Sequence, residues 1–165
     1  MKKYFLIIIL SFGAINAQII TKVEGISINS PCELEYTRNL GNQNNYSCVV
    51  QIDEGKIENY SVTVSNLQKD MNGLNESTLK SYKSSFFESA ESNCKNAGET
   101  IKYIILSNGI KALSSISYLT YADQKFKNLS IIFLYKQKSF IVNITTNNLN
   151  KSNQINDLIS RIIFK

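Results

Sequence analysis

Three cysteines, thirteen carboxylates and nine tyrosines are the residues of this 165-residue chain whose types and spacing could do chemistry, and no histidine stands beside them. Without an imidazole the chain lacks the Ser-His and Cys-His pairs of nucleophilic catalysis. It also lacks every histidine-containing zinc site and the usual proton carrier near neutral pH. The glycines are isolated, so no phosphate-cradling loop is written. Calcium would want a run of alternating acidic oxygens, which is absent too. Asp53-Glu54 reads as a solvated turn, and Glu88 with Glu91 as the wet face of a helix. A catalytic carboxylate pair would instead need a cleft and displaced pKa values. Ser81 and Lys83 supply the types for Ser-Lys chemistry, but on a helix that leaves Lys83 in water. No catalytic residue, metal ligand or cofactor is therefore expected, and the chain reads as a non-enzyme.

Cys32, Cys48 and Cys94 allow at most one internal disulfide. If the strands at Ile26–Ile28 and Tyr46–Ile52 pair, Cys32 and Cys48 meet at the mouth of the loop between them. Closing it would stabilise the fold by about 3 kcal/mol in the chain-entropy picture. Cys94 falls on an apolar helical stripe, where a thiol behaves as a small hydrophobe. Cys32–Cys48 is the favoured bond, and Cys32–Cys94 and Cys48–Cys94 stay open. Tyr36, Tyr46 and Tyr60 cluster in the first third, near an Asn-rich stretch from Glu33 to Asn45 that reads as an irregular loop. Tyrosine joins apolar area to a hydroxyl and is favoured at interfaces, so these three are the candidate partner-binding residues. Cross-strand packing is the plainer use of the same residues. N-x-Ser/Thr triplets, among them those at Asn45, Asn59, Asn75, Asn128 and Asn143, carry little weight in a chain so rich in these residues.

The elements that must position these residues follow from periodicity. Met1 to Ala17 has Lys2-Lys3, an apolar run at Phe5–Leu10 and small residues before Gln18. That is the pattern of a secretory signal peptide, too short to span a bilayer. Export to a periplasmic or extracellular space is expected, where a disulfide would persist. Residues 18–165 then form one domain. Once Lys2 and Lys3 are gone, 16 basic and 13 acidic residues leave about +3, too mild and too scattered to suggest nucleic acid.

Leu79, Tyr82, Phe86, Ala90 and Cys94 recur every three or four residues, predicting a long helix over about 77–96. Ile155, Leu158, Ile159, Ile162 and Ile163 predict a second over about 153–163. Tyr60-Ser61-Val62-Thr63-Val64 alternates as an edge strand or one with a wet face. Four strands follow between Ile101 and Thr146. Asn108-Gly109 turns between the first two, and the changed parity between Leu113 and Ile116 suggests a bulge. Leu129-Ser130-Ile131-Ile132-Phe133-Leu134-Tyr135 is apolar on both faces, so the sheet needs cover on both sides. The expectation is an α+β domain: a mainly antiparallel twisted sheet of six to seven strands, the long helix on one face and the C-terminal helix on the other.

This order, with the opening Gly25-Ile26-Ser27-Ile28-x-x-Pro31 phrase and the strand Phe140-Ile141-Val142-Asn143-Ile144 before the last helix, resembles the PsbP-like fold. That family is named for an extrinsic photosystem subunit and shared by small bacterial periplasmic proteins. The resemblance implies an accessory or adaptor role at the cell envelope and transfers no functional residue. A cystatin-like layout fits less well, because it has neither the second helix nor the doubly apolar strand. The expected partner is another envelope or secreted protein, with no nucleic acid and no stable membrane insertion. The alternative is a carrier of a small ligand or lipid, with a pocket between the sheet and the long helix.

Overall fold

The structure is a computed structural model, and it describes residues 18–67, 73–149 and 154–164. The proposed leader and the first residue of the predicted second helix lie outside the described residues. The strands are β1 (Ile19–Val23), β2 (Ile26–Ser30), β3 (Glu35–Leu40), β4 (Gln43–Asp53) and β5 (Lys56–Asn66), then, after the long helix, β6 (Thr100–Ile105), β7 (Lys111–Tyr121), β8 (Gln124–Tyr135), β9 (Lys138–Thr146) and β10 (Ile162–Phe164). The helices are α1 (Glu76–Asn96) and α2 (Gln154–Ser160). Seven strands make one antiparallel sheet in the order β3-β4-β5-β9-β8-β7-β6, and β1-β2-β10 make a second, smaller one. The fold is α+β.

The doubly apolar strand explains the layering. β8 lies inside the sheet, between β9 and β7. Leu129, Ile131 and Phe133 point to one face, where Tyr60, Val62, Val64, Phe140, Val142 and Ile144 from the neighbouring strands join them. The three-stranded sheet and α2 close over this face, contributing Val23, Ile26, Ile28, Leu158 and Ile162. Phe133 stacks on Phe140 at 5.2 Å between centroids and meets Phe164 of β10 edge-on at 5.5 Å. Each such side chain taken from water stabilises the fold by about 1.5–3 kcal/mol. On the reverse face, Ile132 and Leu113 pack under Phe86, Phe87, Ala90 and Cys94 of α1.

Helix α1 covers only the β6–β7–β8 end of its face. Its start is set by Asn75, whose side chain accepts the Thr78 amide at 2.8 Å. At its end Gly98 takes a left-handed φ of 72°. Glu99 N–H reaches the Cys94 carbonyl and Gly98 N–H the Lys95 carbonyl, which together satisfy two terminal acceptors. Beyond the helix, the same sheet face turns polar. Ser61, Asn143, Ser130, Asn128 and Thr145 form a side-chain ladder with bonds of 3.3, 2.6, 3.1 and 2.8 Å across three strands, β5, β9 and β8. The N-x-Ser/Thr triplets at Asn128 and Asn143 are thus parts of a sheet-surface network.

Several expectations need correction. The stretch from Glu33 to Asn45 is no loop: β3 and the start of β4 form a hairpin around Gly41. β5 is an interior strand, so its alternation records a polar face and not an edge. The β6–β7 and β7–β8 ladders run without a register shift between Leu113 and Ile116. Parity changes there because Leu113 faces the core under α1 and Ile116 the larger core on the other face. The turn at Asn108-Gly109 has positive φ at both residues, but inside a 3₁₀ turn from Ser107. The second helix ends at Ser160, and Ile162–Phe164 leave it to pair with β2.

Candidate functional site

The three sequence-selected tyrosines share one sheet face but not one environment. Tyr36 and Tyr46 are directly opposed on β3 and β4, with ring centroids 5.6 Å apart in an edge-to-face pair. Tyr36 is 55% exposed, whereas Tyr60 is only 2% exposed. Tyr60 is therefore a core residue and not a contact for a partner. Its hydroxyl donates to buried Glu58 at 2.5 Å, and the Arg161 guanidinium lies over its ring. Burial, then that hydrogen bond, pushes the phenol well above its ordinary range. Cross-strand packing, the plainer reading of these residues, holds for Tyr60.

Cys32 and Cys48 are joined, with Cα atoms 6.0 Å apart. The strands Ile26–Ile28 and Tyr46–Ile52 do not pair, however. They belong to different sheets, so the bond staples the smaller sheet's exit to β4 of the larger one. Cys94 is free and buried, and burial first, with Glu99 beside it, pushes its thiol up.

A polar knot beside Tyr46 was missed by sequence reasoning. Glu24 and Gly25 are the two central residues of the β1–β2 turn, with φ of 47° and 107°. Two positive φ values in a two-residue hairpin turn favour Asn, Asp or Gly, and glutamate is an unusual choice there. Its carboxylate accepts from Asn44 at 2.6 Å, from the Tyr46 hydroxyl at 2.9 Å and from Lys138 at 2.6 Å. Burial alone would raise the Glu24 carboxyl, but the bonds from Lys138, Asn44 and Tyr46 and the lysine's charge outweigh it and bring it below its ordinary value. Burial and the bond to Glu24 push Tyr46 up to about 12. The knot ties the β1–β2 turn to β4 and β9. Every member is engaged within the protein, which gives it a structural part.

The outer half of the β7–β8 ribbon is an exposed feature of another kind. β6 pairs with β7 only from Lys111 to Ile116, so Ser117–Tyr121 have no neighbour on their outer side among the described residues. On this overhang Tyr118 is 61% exposed, Leu119 44% and Tyr121 74%. An unpaired edge bearing aromatic side chains is a template for another extended segment, because its free N–H and C=O groups lack partners. The edge strand β3, by contrast, carries Glu35, Arg38 and a register shift. The signal available in sequence was Tyr118-Leu119-Thr120-Tyr121 ahead of the Ala122-Asp123 turn. Only the shortness of β6 leaves those residues uncovered.

The acidic residues weighed for catalysis stay apart. Asp53 caps the Glu54 amide and pairs with Lys56 at 3.6 Å, on a solvated turn. Glu91 pairs with Lys95 at 2.5 Å and accepts from Tyr103 at 2.8 Å, while Glu88 accepts from Ser84. No group of three or more acidic or thiol side chains within metal-binding reach occurs among the described residues. None of the described helices is long and apolar enough to cross a membrane. Between α1 and the sheet, Phe87, Cys94 and Leu113 fill the interior. A cleft of about 320 Å³ is lined by Asn42, Gln43, Ser65, Asn66, Leu67, Tyr82 and Ser139. Its amide and hydroxyl lining does not suit an apolar ligand.

No protein-family model matches the chain, and no curated protein matches it. Among solved structures it is similar to a protein from Bacteroides thetaiotaomicron VPI-5482, whose crystal structure is at 1.50 Å resolution. The two are 9% identical with a TM-score of 0.47, over 86% of this chain and 45% of that one. The chain thus spans less than half the length of that protein.

Proposed function

We propose that this is an exported, non-enzymatic binding protein that docks a protein partner along the open edge of β7. The observation that carries the reading is the overhang Ser117–Tyr121, an unpaired strand edge with three large exposed side chains. The Met1–Ala17 leader pattern and the Cys32–Cys48 bond support an oxidising destination. The resemblance of the Gly25–Pro31 phrase to PsbP-like proteins supports an accessory role at the envelope. The absence of histidine from the sequence narrows what the protein could catalyse.

Photo-crosslinking in cells that make the protein tests the docking. A benzophenone amino acid at Leu119 or Tyr121 is expected to trap a discrete adduct, while the same probe at Ser84 on the exposed side of α1 traps none. Equal labelling from all three sites, or from none, would refute the edge as the docking surface. Export is tested by mass spectrometry, which should find the protein outside the cytoplasm beginning at Gln18. Retention of the Met1 leader in a cytoplasmic fraction would refute it.

A further inference from the structure

We propose that the β7 edge takes an acidic, extended segment of the partner, with carboxylates on alternate residues facing Lys125 and Lys127 and apolar side chains between them facing Leu119 and Tyr121. This inference rests on the docking reading above and adds the chemistry of the occupant. Its basis is the register of the ribbon. Tyr118 is opposite Lys127 and Thr120 opposite Lys125, so both lysines share the Tyr118 face. Leu119 and Tyr121 alternate onto the other face.

The ribbon from Ser117 to Asn128 has Lys125, Lys127 and Asp123 as its charged residues, and Asp123 sits in the turn beyond the edge. Neither lysine has a carboxylate partner among the described residues. The Lys125 ammonium lies 6.0 Å from the Tyr118 ring centroid, leaning from β8 toward the open edge. A strand added beside β7 would place alternate side chains on these two faces, one positively charged and one apolar. A pattern of acid, apolar, acid, apolar is complementary to that surface. A second copy of this chain would instead bring four lysines onto one face of the joined sheet.

Fluorescence anisotropy on the full chain, with synthetic eight-residue peptides as probes, tests this. One peptide alternates glutamate with valine and the other lysine with valine. The acidic peptide should bind, weaken as salt is added, and shift the amide NMR signals of residues 117–121. Lys125→Glu with Lys127→Glu should weaken it about five- to tenfold, the size expected for losing two exposed ion pairs. The same double variant should improve binding of the basic peptide, a reversal that misfolding would not produce. Equal binding of the two peptides, no binding of the acidic one, or concentration-dependent dimers that exclude it would each overturn the inference. Crosslinking from Tyr121 that persists in those cases would leave the docking reading standing, so the two failures are distinguishable.

Discussion

Glu24 holds a backbone conformation that its side chain has to justify, and replacing it with glycine separates the two effects. Glycine at φ 47° relieves about 1 kcal/mol of left-handed strain. It also removes three hydrogen bonds to a carboxylate whose side chain is 15% exposed, paired with a lysine 29% exposed. Bonds to charged groups are worth about 1.5–3 kcal/mol each when fully buried, so at this half-shielded site about 1 kcal/mol apiece is the fitting scale. The loss of about 3 kcal/mol outweighs the relief, and Glu24→Gly should destabilise the fold by about 2 kcal/mol at neutral pH. Urea unfolding of both proteins followed across the acid range provides the assay. The Glu24 carboxyl is depressed in the fold, so its contribution is present above the ordinary glutamate range and fades as pH falls through the folded value. The gap between wild type and variant should therefore close in acid. A variant as stable as wild type at neutral pH, or a gap that does not change with pH, would refute the assignment of Glu24 as a hub.

Replacing Cys32 and Cys48 together by alanine opens a loop with a sequence separation of 16 and should cost about 3 kcal/mol, read as a lower urea midpoint. Because the bond joins two sheets, the loss should also speed amide exchange in β1 and β2. Phe133→Ala leaves a void between Phe140 and Phe164 and should cost about 3–5 kcal/mol, checked by thermal or chemical unfolding. Cys94 is buried with its thiol pushed up, so a thiol reagent at neutral pH should label it only in denaturant. Rapid labelling of the native protein would contradict the packing of α1.

Much of the architecture was legible because it rests on local periodicity. The two-sided apolar pattern of Leu129–Tyr135 required layers on both faces, and α1 was readable within a residue of its start. What the chain could not disclose locally depends on distant pairing. Ile162–Phe164 carry helical spacing in sequence, yet β2 offers them a ladder and an apolar cover, and burial against Phe133 and Tyr135 overrides the local preference. Tyr60 looked like its neighbours Tyr36 and Tyr46, and only the closing of the smaller sheet and α2 over β5 makes it core. The same holds for Glu24, whose partners lie 20, 22 and 114 residues away. The candidate edge follows from a length difference: β6 has 6 residues and β7 has 11, so part of β7 is left unpaired. Sequence alone determined which side chains must leave water; the tertiary structure decided which strand edge stayed open, because hydrogen-bond partners in a sheet are chosen across the chain and not along it.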